Sequence, residues 1–359
     1  MTTPVSAPIR VLVVDDSAYN RRNIADIFAS YPEVQVVGKA ADGEEALRLA
    51  ALLKPDVITL DLEMPRMDGF TFLRILMSKQ PTPVIVVSSY SQKENVFKAL
   101  ELGALDFVTK PDRQISPDAT ELRDQILSKV LLVRSLRPGI TAPAPRRQAT
   151  GQWSPDGKQP DSSRGASPLV APRYVVAIGS STGGPSALLE IFAKLPPTSP
   201  LGILVAQHMP DKFTRTFAER LDKRGPVRTS EAQDGDRLHA LTAFVCPGRQ
   251  CMEIIHKDGQ LRTKVGPATP EDKYVPSANR LLKSAASAAG PRAIGVILTG
   301  MGDDGVEGAR AIRDAGGSVI VESQETAVVY GMPGAAVRAG VVSKILALPA
   351  IAEDLAQLT

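Results

Sequence analysis

Arg173-Tyr174-Val175-Val176-Ala177-Ile178-Gly179-Ser180-Ser181-Thr182-Gly183-Gly184-Pro185, followed by Ser186-Ala187-Leu188-Leu189-Glu190-Ile191-Phe192, passes from one periodicity to another. Its β-branched start reads as a buried parallel strand, and the apolar positions after Pro185 recur at helical spacing. Hydroxyls and glycines therefore cluster between a strand's carboxyl end and a helix's N-terminus. Unpaired backbone N–H groups and the positive end of the helix dipole meet there, which suits an anion or a developing oxyanion. By itself the loop admits three readings. Gly179-Ser180-Ser181-Thr182-Gly183 satisfies the literal G-x-S-x-G pattern of a serine nucleophile. The same loop could cradle a phosphate, although it lacks the G-K-[ST] ending of a Walker loop. It could equally be a polar turn that caps its helix.

Downstream, Leu201-Gly202-Ile203-Leu204-Val205-Ala206 reads as another buried strand and runs into Gln207-His208-Met209-Pro210. The chain holds three histidines, and His208 alone ends a strand, on the edge that carries Ser181. His239 and His256 fall in a polar-loop and hairpin-like region, Arg228 to Leu261, and read as structural or exposed. A further apolar strand, Ala293 to Thr299, leads into Gly300-Met301-Gly302-Asp303-Asp304-Gly305. Aspartate before a helix is ordinarily a cap. A serine hydrolase, however, needs a third group to orient its imidazole and stabilise the imidazolium, and Asp304 is placed to be that group. The chain order Ser181, His208, Asp304 differs from the Ser, Asp, His order of α/β-hydrolases, so the G-x-S-x-G match does not bring that fold with it.

Upstream, short strands at Ile9–Val14, Val34–Gly38, Asp56–Asp61, Val84–Ser89 and Asp106–Pro111 alternate with helical patterns. That alternation predicts a parallel, doubly wound sheet with its functional groups at the strands' carboxyl ends. Asp15 and Asp16, Asp61, Ser88 and Lys110 all fall there. Three converging carboxylates call for a cation, and all-oxygen ligation favours Mg²⁺. A hydroxyl and an ammonium facing them could hold a phosphoryl group on one carboxylate.

Between the halves, a helical run from Pro117 to about Val133 gives way to Pro, Ser, Gly, Ala, Gln and Arg, with Trp153 the only aromatic residue. Such a composition buries too little surface to offset chain entropy, so residues 135–172 read as a flexible tether, able to let one domain cover or leave the other. The domains predicted are a tail at 1–8, a first domain at 9–134 and a second at 173–359. At 359 residues there is chain enough for two cores, and a net charge of +3 by itself argues neither for nor against a nucleic-acid partner. No apolar run reaches the roughly 18 residues of a membrane span, and no secretory signal pattern opens the chain. Cys246 and Cys251 form one C-x-x-x-x-C pair with no second pair to complete a zinc site, and read as reduced core thiols of a cytoplasmic protein.

Residues 9–112 resemble a response-regulator receiver domain, through Val14-Asp15-Asp16-Ser17, Asp61-Leu62-Glu63-Met64-Pro65-Arg66-Met67-Asp68-Gly69, Leu102-Gly103-Ala104 and Lys110-Pro111. The resemblance implies a flavodoxin-like sheet of five parallel strands with Asp61 as phospho-acceptor. It implies Mg²⁺ held by Asp16, Asp61 and the Glu63 carbonyl, with Asp15 acting largely through water. Ser88 and Lys110 would contact the phosphoryl oxygens, and a sensor histidine kinase would donate the group. Phe107 stands where the family carries a movable aromatic, or is simply core.

Residues 173–345 resemble the catalytic domain of the chemotaxis protein-glutamate methylesterases. The motifs are Ile178 to Gly184, Gln207 to Pro210, Leu298 to Gly305 and Val329-Tyr330-Gly331-Met332-Pro333. That resemblance implies a mostly parallel, doubly wound α/β domain with Ser181 as nucleophile, His208 as general base and Asp304 as its carboxylate. Thr182, Gly183 and Met301 would bind the substrate carbonyl or oxyanion. It implies hydrolysis of glutamate γ-methyl esters, and deamidation of glutamines, on methyl-accepting chemotaxis receptors, with no cofactor for the ester step. Neither nucleic acid nor membrane insertion is implied, and a monomer is expected. Asp303 and Glu322 depart from residues common at those positions, Asn or Ala and Gln, and could alter His208 or substrate fit. Two alternatives stay open: a DNA-binding output domain, which would need a basic recognition surface, and a receptor-docking scaffold without catalysis.

Overall fold

The computed structural model describes residues 7–89, 93–110, 119–136 and 170–358. The chain divides into two compact units, Met1–Arg146 and Arg147–Thr359. Pro111, Arg146, Arg147, Trp153 and nearly all of the predicted tether lie outside the described residues.

In the first unit the elements run β1 (Ile9–Val14), α1 (Ala18–Ala29), β2 (Val34–Ala40), α2 (Gly43–Leu53), β3 (Val57–Leu60), α3 (Gly69–Lys79), β4 (Val84–Ser88), α4 (Lys93–Glu101), β5 (Asp106–Thr109) and α5 (Ala119–Leu131). The five strands pair in parallel in the order β2-β1-β3-β4-β5, as the alternation predicts. Ile9, Val11 and Val13 of β1 pack with Ile24 and Phe28 of α1 and with Ile126 and Val130 of α5. Leu12 and Val14 point the other way and are buried too. A strand covered on both faces reads as one unbroken apolar run, which is how β1 is spelled from Val11 to Val14. Ser17, Asp42 and Asp68 cap α1, α2 and α3 through side-chain oxygens.

The second unit continues with β6 (Tyr174–Ser180), α6 (Gly184–Lys194), β7 (Leu201–Gln207), α7 (Asp211–Asp222), β8 (Arg228–Glu231), β9 (Thr242–Val245), β10 (Gln250–Lys257), β11 (Gln260–Pro267) and α8 (Ala278–Ala289). It closes with β12 (Ala293–Ile297), α9 (Val306–Asp314), β13 (Ser318–Glu322), α10 (Met332–Arg338), β14 (Lys344–Leu346) and α11 (Leu348–Ala356). Seven strands form one sheet in the order β14-β13-β12-β6-β7-β9-β8, with every pairing parallel. β6 lies between β7, which follows it in the chain, and β12, which comes much later. The strand order reverses at β6, and the crevice outside the carboxyl ends at such a point is where α/β sheets place ligands.

The hairpin-like region is corrected in part. β8 and β9 belong to the parallel sheet, and only β10 and β11 form an antiparallel hairpin, which extends to Pro267. Met252, Ile254 and Leu261 of that hairpin share one core with Leu281, Leu282 and Ala285 of α8. Among the described residues no helix is long and apolar enough to cross a membrane.

Candidate active site and acidic cluster

The sheet ladder runs on past the ends of the central strands. Ser181 N–H donates to the Thr299 carbonyl (3.0 Å), and His208 N–H donates to the Ser180 carbonyl (3.0 Å). The backbone beneath the hydroxyl loop is thereby tied to both neighbouring strand ends. Gln207, buried, adds a clasp: its Nε2 donates to the carbonyls of Ser181 (2.9 Å) and His208 (3.1 Å), and its Oε1 accepts from Ser180 Oγ (2.7 Å). Gly184 makes room for this clasp, since a Cβ there would lie 2.1 Å from Gln207 Oε1.

The Gly300 turn closes on the loop from the β12 side. A Cβ on Gly300 would stand 2.7 Å from Ser181 Cβ. The Gly300 carbonyl accepts from Gly331 N–H (3.1 Å) and Met332 N–H (2.8 Å), so the Val329–Pro333 motif buttresses the turn. Thr182 is buried and its carbonyl accepts from Thr299 Oγ1 (2.9 Å), whereas Met301 is 51% exposed at the rim.

His208 Nε2 lies 2.8 Å from Asp304 Oδ2. Asp304 is only 1% exposed. Its Oδ2 also accepts Ala278 N–H (2.7 Å), and its Oδ1 accepts Asn279 N–H (2.8 Å). These are the first two amides of α8, while Ser277 Oγ takes the Arg280 amide (3.2 Å). The turn does not put a side-chain cap on the helix that follows it. Asp304 serves α8, 26 residues upstream, and α9 starts from Gly305 at φ +97° with no side-chain cap. A buried carboxylate needs such donors, and a helix N-terminus supplies them together with a favourable dipole.

Asp303 is exposed and does not stand beside the site as an uncompensated charge. Its Oδ1 accepts from Lys273 Nζ (2.9 Å) and Tyr274 OH (2.9 Å), and these hydrogen bonds hold its carboxyl below the usual range. Tyr274 in turn stacks on the His208 ring, with centroids 5.3 Å apart and planes 9° apart. Glu322, 1% exposed, accepts Thr299 N–H (2.8 Å). Burial pushes its carboxyl up to about 7, against the pull of the Thr299 and Thr326 hydrogen bonds and with Glu190 adding to the rise. Sequence reasoning gave Tyr274 and Gln207 no role. Tyr274 lies in a stretch without periodicity, and Gln207 was visible only as the residue before His208.

His256 Nε2 bonds the Ala288 carbonyl (2.9 Å), a structural use of the ring. Cys246 and Cys251 are buried free thiols, and burial pushes both thiols up.

In the first unit, carboxylate oxygens of Asp15, Asp16 and Asp61 lie within 4.8 Å of one another. Lys110 Nζ sits 2.5 Å from Asp61 Oδ2 and 2.9 Å from Asp15 Oδ2. Two buried carboxylates thus share one ammonium. Burial and the neighbouring Asp15 push the Asp61 carboxyl up despite Lys110; burial alone would lower Lys110, and the two carboxylates raise it instead. The cluster keeps an excess of negative charge and offers only oxygen, the donor set of a hard divalent cation. Glu63 N–H reaches Asp61 Oδ1 (3.4 Å), and Lys110 N–H donates to the carbonyl of buried Ser88 (2.8 Å), so both residues are tied to the acidic edge. Phe107 is buried edge-on to Phe97, with ring centroids 6.4 Å apart, and packs as core.

A receiver-type acidic edge in one unit and an α/β enzyme unit in the other define a response regulator with an enzymatic output. The CheB methylesterase family model matches residues 176–355, and the response regulator receiver domain model matches residues 11–117. The chain belongs to the CheB methylesterase family. It is 47% identical over 98% of its length to protein-glutamate methylesterase/protein-glutamine glutaminase 1 of Myxococcus xanthus, covering 97% of that protein. A Pyrococcus abyssi protein-glutamate methylesterase/protein-glutamine glutaminase is 40% identical over 96% of this chain and 92% of its own. The crystal structure of the Thermotoga maritima CheB methylesterase catalytic domain matches over its whole length and 53% of this chain, at 36% identity and a TM-score of 0.51.

Proposed function

We propose that the chain hydrolyses glutamate γ-methyl esters, and deamidates selected glutamines, on methyl-accepting chemotaxis receptors in the cytoplasm, at a rate raised by phosphorylation of Asp61. The observation that carries this reading is the 2.8 Å contact between His208 Nε2 and an Asp304 whose oxygens already accept two backbone N–H groups. Such a carboxylate acts as an acceptor, so Nε2 carries the proton and Nδ1 is left with the lone pair. In this reading Nδ1 takes the Ser181 hydroxyl proton as Oγ attacks the γ-carbonyl. Thr182, Gly183 and the Met301 backbone line the oxyanion position, where each good donor is worth about 3 kcal/mol. The imidazolium returns its proton to the departing methanol or ammonia, and water releases the acyl group as glutamate by the same steps reversed.

On the receiver, residues 9–134, a sensor histidine kinase supplies the phosphoryl group and Asp61 is its acceptor. A divalent cation held by Asp16, Asp61 and the Glu63 carbonyl, with Asp15 acting through water, would shield the charge between acceptor and incoming phosphoryl oxygens. Ser88 and Lys110 hold the transferred oxygens, with Lys110 leaving its bridge between Asp15 and Asp61 to do so. Residues 135–172 join this domain to the catalytic one, 173–359, in a monomer.

The test is methanol release from methylated receptor membranes by wild type and Ser181→Ala, with and without a small-molecule phosphodonor and Mg²⁺. Release that disappears in the variant and rises with the phosphodonor supports nucleophile and gate together. Release indifferent to the phosphodonor removes the gate, and no release from wild type leaves a receptor-docking scaffold.

A further inference from the structure

An imidazole that contacts its orienting carboxylate through Nε2 is incompletely fixed by that contact. The Nε2–H vector is inclined much less to the Cβ–Cγ axis about which the ring turns than the Nδ1 lone pair is, so a modest change in χ2 moves it less and the bond to Asp304 tolerates the turn. The Nδ1 lone pair lies nearly perpendicular to the same axis and is swept round by the turn. Histidine χ2 is a broad, weakly restrained torsion. A base working through Nδ1 therefore needs a second restraint, one that acts on the plane of the ring.

The structure holds such a restraint. Tyr274 lies flat against His208, at 5.3 Å between centroids and 9° between planes. Its own ring is anchored by the hydroxyl, which donates to Asp303 Oδ1 (2.9 Å). It is also crowded by the Gly300 turn, for a Cβ on Gly302 would lie 2.3 Å from Tyr274 Oη. Lys273 Nζ bonds the same Asp303 oxygen (2.9 Å) and lies 5.0 Å from the Tyr274 ring centroid. The preceding segment is pinned by Arg280 of α8, whose guanidinium reaches Asp272 Oδ2 (3.1 Å) and Glu253 Oε2 (2.9 Å).

We infer that Tyr274 is a positioning residue, which fixes the plane of the His208 imidazole and so aims Nδ1 at Ser181, with Asp303 holding Tyr274 in place. The inference rests on the proposed Ser181–His208–Asp304 reading. It also gives Asp303 a role: the carboxylate that departs from the common residue here is the anchor of the stacked ring.

The experiment measures methanol release by the full-length chain for wild type, Tyr274→Phe, Tyr274→Leu and Ser181→Ala. Imidazole resonances of ¹⁵N-histidine-labelled protein are recorded alongside, with His208 assigned by its loss in His208→Gln. Tyr274→Phe keeps the stack and loses the anchor; Tyr274→Leu loses the stack. Because misaiming a reacting group by about 1 Å costs up to about a hundredfold, kcat should fall about tenfold to a hundredfold in Tyr274→Leu and less than about fivefold in Tyr274→Phe, with KM held within about twofold. The upfield ring-current shift of the His208 ring protons should vanish in Tyr274→Leu and persist in Tyr274→Phe. Wild-type kcat in Tyr274→Leu, or a fall carried by KM, overturns the inference while an inactive Ser181→Ala leaves the catalytic reading standing. An active Ser181→Ala sinks that reading instead. If Tyr274→Leu does not fold, Tyr274→Met takes its place and removes the same stacked ring: the ring-current shift of His208 should vanish and kcat should fall as for Tyr274→Leu, and wild-type values for both overturn the inference.

Discussion

Asp304→Asn separates two jobs that usually go together, the charge of an orienting carboxylate and the tautomer it imposes. Asp304 Oδ2 accepts from both Ala278 N–H (2.7 Å) and His208 Nε2 (2.8 Å), and Oδ1 accepts from Asn279 N–H alone (2.8 Å). An amide has one oxygen, and it satisfies more donors facing Ala278 and His208. That orientation turns the NH₂ toward Asn279 N–H, keeps the Nε2–H tautomer and removes the negative charge. The difference between a charged and a neutral acceptor for the imidazolium is about 3 kcal/mol at most, so kcat should fall by about tenfold to at most about a hundredfold. An imposed wrong tautomer would cost about 10⁴-fold. Leaving the Asn279 amide facing a donor should also destabilise the unit by about 2 kcal/mol, or about 4–8 °C in Tm. Methanol release gives kcat, ¹⁵N-histidine spectra give the tautomer, and thermal unfolding gives Tm. A kcat within about threefold of wild type refutes Asp304 as the orienting carboxylate. A fall near 10⁴-fold with an Nδ1–H tautomer refutes the acceptor geometry.

Glu322→Gln should change how stability depends on pH. Burial raises the Glu322 carboxyl from 4.5 to about 7, so the unfolded chain ionises first and the folded state loses stability as pH rises between those values. The loss levels off above about 7, at about 3 kcal/mol. The amide keeps an acceptor for Thr299 N–H, so the variant should match wild type in denaturant unfolding below pH 4.5 and exceed it at pH 8; equal stability at both refutes a neutral buried acid. In the receiver, Asp61→Asn should abolish the rise in methanol release with phosphodonor. Chelation of divalent cations by EDTA should remove the same rise from wild type, and a rise that survives either treatment argues against Asp61 as acceptor.

What the sequence made legible follows from where parallel sheets put their chemistry. β6, β7 and β12 are unbroken apolar runs because both their faces are covered, and the polar residues that end them had to be at the carboxyl edge. Ser181, His208 and the Gly300 turn were found that way, as were Asp15, Asp61, Ser88 and Lys110. Contacts between distant elements that do not end at that edge's motifs were not legible. Asp304 reads as a carboxylate facing His208, but its oxygens also take the first amides of a helix that lies earlier in the chain, and no local pattern records that. β8 and β9 have four residues each, too short for periodicity to separate a sheet edge from a hairpin. Tyr274 sits between β11 and α8, where neither period applies, and its importance appears only when His208 arrives from β7.

Both units place their reactive groups at the carboxyl edge of a parallel sheet, yet their charge balance points to different chemistry. At the first edge three carboxylates face one ammonium, so negative charge is left over, and under the proposed reading a cation offsets it as a phosphoryl group approaches Asp61. At the second edge the buried carboxylate Asp304 already has the Ala278 and Asn279 amides of a helix N-terminus and an imidazole around it. Its charge is committed to the protein, and under the proposed reading His208 gains its proton beside that fixed anion during attack on an uncharged ester. The glycines mark the same division of labour. At Gly184 and Gly300 the missing Cβ lets Gln207 and Ser181 close on their neighbours, so that edge is held by backbone at short range.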